Sequence, residues 1–322
     1  MNLPIGIISD KGVIHNAYPG KKLKVMDGYG VMRDAVVKQS FEDELYNVTL
    51  TNGDAVKHII ATKHRRWHLD NVLDKDNFCK TITDGIEGEA LQRFKSISEF
   101  PTEVTDRECE AFAVGFVLGN YCNDRMSELD NGRARFLLNV NQIDYIPIFE
   151  RAGFEQDMPG SMVSKGDEYT FWIDKGLAHH SLEEFVSLLG YEELKAMFCG
   201  IYVSTKDYES KEDRIMLCSK CEPSEDVGVT LLKVVLKISS LAGYFIKDFY
   251  LEKSSLEEWE YGVSYRYFVV NFITKQAKND LWVVKSVQKM PLSGKQIPVL
   301  YVEEPFSHTL TLEGGIVVGD GG

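Results

Sequence analysis

The sequence predicts a discontinuous all-β domain, residues 1–80 plus 281–322, interrupted by an α+β insert, residues 81–280. Three observations lead there. Both ends of the chain show strand-like alternation broken by glycine-containing turns. The middle carries the spacing of amphipathic helices, with short strands between them. The acidic excess is confined to that middle. At 322 residues and 36.5 kDa the chain is long for one core and comfortable for two domains.

At the N-terminal end, Leu23–Met26, the turn Asp27-Gly28 and Val31–Val37 read as strand, turn and strand. Leu45–Leu50 alternates into Thr51-Asn52-Gly53, a tight hairpin signal that Val56–Ala61 continues. In the middle, helices are expected over 106–118, 143–152, 181–189, 192–202 and 227–241, with strands over 134–140, 169–173, 215–218 and 265–272. The last 42 residues return to strands at 281–287, 297–302, 309–312 and 316–318.

Net charge is −13, from 36 Lys plus Arg and 49 Asp plus Glu. Residues 81–280 hold 35 acidic and 21 basic residues, so the insert should repel a phosphate backbone unless its cations cluster. Arg125, Arg133, Arg135 and Arg151 are the best such group; a solvated face balanced by Asp124, Asp130 and Asp144 is the competing reading. No apolar run reaches membrane length, and the N-terminus has neither a basic region nor a long apolar stretch. A cytoplasmic protein is therefore expected, monomeric and without a membrane partner.

The six cysteines lack a disulfide-framework spacing and read as free thiols. Cys218-Ser-Lys-Cys221 is a lone CxxC, short of the four ligands of a structural zinc. His64 and His68, four apart, are weak support for a metal.

A weak internal repeat runs through the insert. Gly115-Phe-Val-Leu-Gly119-Asn120 parallels Gly200-Ile-Tyr-Val-Ser204-Thr205, and Glu150-Arg-Ala-Gly153-Phe154 parallels Ser240-Leu-Ala-Gly243-Tyr244. Small residues four apart share a helix face and let two backbones approach, so these helices are expected to pack together about a pseudo-twofold axis.

With these segments in place, the chain resembles an intein carrying an inserted LAGLIDADG homing endonuclease. The resembling blocks are Ala17–Gly28, Val48–Gly53 with Ile60–Trp67, and His308–Asp320; the paired helices resemble the two LAGLIDADG motifs. The resemblance implies a horseshoe-like Hint splicing domain over 1–80 plus 281–322, with both chain ends close together at its centre, and a pseudo-twofold endonuclease domain over 81–280. It also implies splicing between host-protein exteins, and Mg²⁺-dependent cleavage of double-stranded DNA. The chemistry needs a nucleophile, oxyanion donors and a proton donor to the leaving amine.

The reacting positions depart from that pattern. Met1 stands where the family has a nucleophile, and its thioether has no proton to lose. Thr62 is kept from the Thr-x-x-His motif, but Arg65 stands at the His position, with His64 one residue early. Arginine stays protonated and cannot shuttle a proton. His308 is retained, Asp320 replaces the terminal Asn, and Gly321 occupies the following nucleophile position. Asn120 and Thr205 stand at the two nuclease acid positions, where neither carries charge and the metal site loses its anionic ligands; Asp124 and Asp207 lie nearby at unmatched spacing. The expectation is an intein-type protein inactive in splicing and in DNA cleavage, without a cofactor. Two alternatives remain: a partly active intein that cleaves at Asp320-Gly321 with His308 as proton donor, and an intein-derived DNA- or protein-binding module.

Overall fold

The computed structural model describes residues 2–70, 79–92, 104–123, 126–128, 133–165, 179–208, 210, 213–219, 227–253, 266–273, 281–291 and 296–320. Strands predominate among them, and the chain divides into two compact units. One comprises Met1–Ser98, Gly243–Lys247 and Ile273–Gly322; the other comprises Glu99–Ala242 and Asp248–Phe272.

The first unit opens with β1 (Asn2–Ser9) and β2 (Gly12–Asn16), two strands not anticipated from the sequence. They form a hairpin whose Gly12 has φ +97°, a conformation that suits glycine. Next come β3 (Lys22–Met26) and β4 (Met32–Glu42), joined by the turn at Asp27-Gly28. The Asp27 carboxylate builds that turn, accepting from the N–H groups of Tyr29 and Val31 at 2.8 and 2.9 Å and from Arg33 Nε at 3.1 Å. The hairpin read from Asn52-Gly53 forms β5 (Leu45–Asn52) and β6 (Ala55–Thr62), in register from Leu45–Thr62 to Asn52–Ala55. β7 (Trp67–His68) and β8 (Cys79–Lys80) follow. Residues beyond 80 still belong to this unit: Gln92 N–H donates to His68 O, and Leu91 bridges Leu69.

In the second unit, α1 (Asp106–Cys122) starts at a capping box, with Thr105 Oγ1 accepting from Glu108 N–H. β9 (Met126–Glu128) and β10 (Ala134–Leu137) lead to a 3₁₀ turn, Val140–Tyr145, and α2 (Ile146–Arg151). One helix was expected over 143–152. Pro147 has no N–H to donate to Ile143 O, so the α-helical ladder begins only around the proline. β11 (Phe154–Met158) and β12 (Ser161–Ser164) follow. Then come α3 (His179–Leu188), α4 (Tyr191–Thr205), β13 (Arg214–Ser219), α5 (Val227–Ile238), β14 (Phe245–Lys253) and β15 (Arg266–Ile273). The strand expected at 169–173 lies outside the described residues. Two antiparallel sheets result, in the orders β11-β12-β10-β9 and β13-β15-β14. An aromatic core of Phe112, Phe116, Phe136, Phe149 and Phe154 joins α1 and α2 to the first sheet, with ring centroids 4.8–6.0 Å apart along its edges.

The chain then returns to the first unit as β16 (Val283–Lys289), β17 (Ile297–Glu303), β18 (Thr309–Leu312) and β19 (Ile316–Gly319). β16 completes a sheet in the order β16-β5-β6. The others complete a nine-stranded sheet in the order β17-β4-β3-β1-β18-β19-β7-β8, with β2 on β1. The first strand therefore lies beside the final hairpin, Ile7 opposite Leu312. Among the described residues no helix is long and apolar enough to cross a membrane.

Candidate functional site

The final hairpin organises the first cluster of sequence-selected residues. Glu304, fully buried, accepts from Phe306 N–H at 2.7 Å, Ser307 N–H at 2.8 Å and Ser307 Oγ at 2.5 Å. Burial works against its charge, yet these donors hold its pKa below the ordinary carboxylate value. The turn it fixes delivers His308 at φ +55°, the one non-glycine residue with positive φ among those described. Thr309 Oγ1 accepts from Gly28 N–H and the Thr311 hydroxyl donates to Asp27 O, locking β18 to the β3–β4 turn.

Asp320 closes the open end of this hairpin. Its N–H donates to His308 O at 3.0 Å, and one carboxylate oxygen lies 3.0 Å from His308 Nδ1. Asp320 is buried and the His308 ring is exposed. Pairing of Val318 with Trp67 and donation from Gly319 N–H to Arg66 O bring the β6–β7 turn alongside. Thr62 and Arg65, joined by an Arg65 N–H bond to Thr62 O, line a cavity of about 120 Å³ within this unit. Burial lowers the Arg65 guanidinium to about 10, opposed by the nearby Asp320 charge, so it remains a cation at neutral pH. His64 is exposed beside it, and His68 is buried. The two histidines therefore do not present one face to a metal.

Thr62, Arg65, His308 and Asp320 thus come from segments far apart in sequence and meet in one region. Met1 and Gly321 lie outside the described residues. The resemblance also implied that the chain's two ends sit together. The described residues depart from that: Glu313 N–H donates to Gly6 O at 2.8 Å, which sets the beginning of β1 at the turn of the final hairpin, whereas Asp320 sits at its open end, because β1 runs antiparallel to β18 with Ile7 opposite Leu312.

The second cluster lies on α1 and α4. A Cβ on Gly115 would meet Met197 O at 2.1 Å, and one on Gly200 would meet Phe112 O at 2.0 Å. The offsets match: each glycine opposes the carbonyl three residues before the other, the reciprocal contact expected of a local twofold. Gly119 faces Ser204 in the same crossing, where a Cβ would lie 2.0 Å from its Oγ. The downstream repeat holds too, since Gly153 and Gly243 have φ +91° and +81° and each precedes a strand.

Asn120 and Thr205 are buried at the ends of these helices. Asn120 Nδ2 donates to Phe116 O at 3.1 Å, and Thr205 Oγ1 donates to Ile201 O at 2.6 Å. Both side chains are thereby spent on their own helices. Asp207 is paired with Arg214, 2.7–2.8 Å away, and Asp124 lies outside the described residues. Among the described residues no group of three His, Cys, Asp or Glu side chains is disposed to hold a metal.

The basic group of the insert is neutralised, though by partners other than those read from the sequence. Arg133 pairs with Glu155 at 3.2 Å, Arg135 with Asp157 and Arg151 with Asp106 at 2.6 Å; Arg125 and Asp130 lie outside the described residues. Glu155 and Asp157 stand on β11, across β12 from β10, a juxtaposition the sheet order creates, and Asp106 stands at the start of α1, reached from the end of α2. Cys79, Cys109, Cys122, Cys199 and Cys218 form no disulfide with one another, and burial pushes Cys199 up to about 12, which removes it as a nucleophile.

These features define the class: a β-unit with a residue cluster at its final hairpin, and an α+β unit built on a reciprocal glycine-mediated helix pair. No family model matches the sequence, and no curated protein matches it. Among solved structures the chain is similar to mesophilic variants of the homing endonuclease I-DmoI, at 15% identity over 52% of this chain and 86% of that one, with a TM-score of 0.31. It is similar to I-DmoI in complex with DNA and Ca at 15% identity, 52% and 84% coverage and a TM-score of 0.31. The complex with DNA and Mn gives 16% identity, 52% and 90% coverage and a TM-score of 0.28.

Proposed function

We propose that this chain is an intein-type protein with a LAGLIDADG endonuclease-like insert, in which neither ligation nor DNA cleavage proceeds. The observation that carries this reading is the meeting of Thr62, Arg65, His308 and Asp320 at the final hairpin. These are the positions the intein resemblance selects, and their chemistry is incomplete. Arg65 can hold an oxyanion but cannot relay a proton. Asp320 is engaged by His308 and lacks the amide nitrogen that terminal cyclisation uses. Met1 offers no acyl acceptor. In the insert, Asn120 and Thr205 are sealed and uncharged, so among the described residues no carboxylate pair stands at these positions for metal-assisted phosphate cleavage.

Placed between two host-protein exteins, the sequence is expected to give only unspliced precursor on a denaturing gel. Acyl transfer is blocked independently at Met1 and at Gly321, and terminal cyclisation is impaired at Asp320. Recovery should therefore need Met1→Cys, Asp320→Asn and Gly321→Cys together, with Arg65→His accelerating the first step. Ligated exteins from the unaltered sequence would sink the proposal. The insert is expected to leave double-stranded DNA spanning the uninterrupted insertion site intact in the presence of Mg²⁺; specific double-strand breaks would refute the assignment of Asn120 and Thr205.

The contact between His308 Nδ1 and Asp320 Oδ2 favours a second reading, slow cleavage at Asp320-Gly321 alone. Loss of Gly321-Gly322 from the intact mass, abolished by His308→Ala, would distinguish it. A DNA-binding role for the insert is the weaker alternative, because Arg133, Arg135 and Arg151 are each held by a carboxylate.

A further inference from the structure

We propose that the cavity in the β-unit binds a small apolar carboxylate, its anionic end on the Arg65 guanidinium and the Trp67 indole N–H and its hydrocarbon body against Leu310, Leu312 and Val318. All five residues line the cavity, and the inference does not rest on the splicing reading. Trp67 is fully buried, and its Nε1 has no hydrogen-bond partner among the described residues. Arg65, part-buried on the same cavity wall, carries five N–H donors on its guanidinium. A buried donor left unpaired, as at Trp67 Nε1, is costly, and a carboxylate is the acceptor that matches the planar fork of an arginine.

The remaining polar groups nearby do not fill that role. Asp320 attracts Arg65 across space but has its own contact with His308, and Glu42, also on the cavity wall, accepts from the Ser40 hydroxyl at 3.3 Å. The volume of about 120 Å³ is close to the roughly 150 Å³ that accommodates a benzene ring, which limits the guest to a compact molecule. A cation or a neutral hydrocarbon would give the Trp67 N–H no acceptor and the Arg65 guanidinium no counter-charge. A carboxylate with a ring-sized or short branched body satisfies them while covering the apolar wall.

Benzoate is the probe, titrated into the full chain and followed by calorimetry and tryptophan fluorescence, with benzyl alcohol as its neutral counterpart. Benzoate is expected to raise the unfolding temperature and to bind at least tenfold more tightly than benzyl alcohol. Arg65→Met should erase that preference, Arg65→Lys should keep part of it, and Trp67→Phe should weaken benzoate severalfold. Equal affinity for the two probes would reduce the cavity to an apolar void and overturn the proposal, as would the absence of benzoate binding at millimolar concentration. Should Arg65→Met fail to fold, the comparison of probes on the unaltered chain and on Arg65→Lys still decides.

Discussion

Replacing Gly115 with alanine is expected to destabilise the helical unit by about 3 kcal/mol or more. The added Cβ would lie 2.1 Å from the Met197 carbonyl oxygen, a backbone atom that cannot rotate aside, so α1 and α4 would have to separate. Alanine also favours helix over glycine by roughly 1 kcal/mol, which the clash outweighs. Gly200→Ala should behave alike, because its Cβ meets Phe112 O at 2.0 Å. Gly119→Ala serves as the control. Its obstacles are side-chain atoms, Ser204 Oγ at 2.0 Å, Thr205 Cγ2 at 2.8 Å and Ser204 Cβ at 3.1 Å, so Ser204 must turn and Thr205 give way, and the cost should be smaller than at Gly115, about 1–2 kcal/mol. Urea unfolding followed by ellipticity at the helix band reads this unit, since the described α-helices belong to it. Unchanged midpoints for both Gly115→Ala and Gly200→Ala would show that the crossing is looser than described.

Glu304→Ala is expected to cost about 2–3 kcal/mol, because it strips the acceptor from two part-buried N–H groups and a hydroxyl in the turn before His308 and empties a buried position. Glu304→Gln, which keeps one acceptor oxygen, should cost less. The effect carries a pH signature. The folded pKa lies below the unfolded value, so the carboxylate's contribution is fully present above the unfolded pKa of about 4.3 and is lost as pH falls through the folded pKa. The stability gap between the natural chain and Glu304→Gln should thus stay level from neutral pH down to about 5 and shrink on further acidification. A gap that held level or widened in acid would mean that the carboxylate is not the stabilising form.

Much of the local structure was legible because it follows from near-neighbour chemistry. Asn52-Gly53 specifies a hairpin turn, and the alternation on either side fixes which residues face inward. The glycine spacing at 115, 119 and 200 predicted a close helix crossing because only small residues admit one. β1 and β2 were missed: Pro4 and Gly6 weaken the strand pattern in Asn2–Ser9, and pairing with β18 and β3 supplies the hydrogen bonds that outweigh it. The expected helix over 143–152 ignored what Pro147 does to the hydrogen-bond ladder.

By itself, then, the sequence determined a β-rich beginning and end, a mixed middle, and the residue types at the reacting positions, since composition, period and identity are properties of the chain. Tertiary structure decided which of those residues meet. His308 and Asp320 are joined because an antiparallel hairpin pairs their backbones, and Arg65 comes near because Trp67 pairs with Val318. Arg133 and Arg135 find Glu155 and Asp157 across a sheet whose register no local pattern encodes. The cavity behind Arg65 is likewise a property of packing: β1, β4, β6, β17 and β18 each contribute a wall, and only their assembly sets a part-buried guanidinium and an indole N–H that lacks an acceptor among the described residues on one cavity.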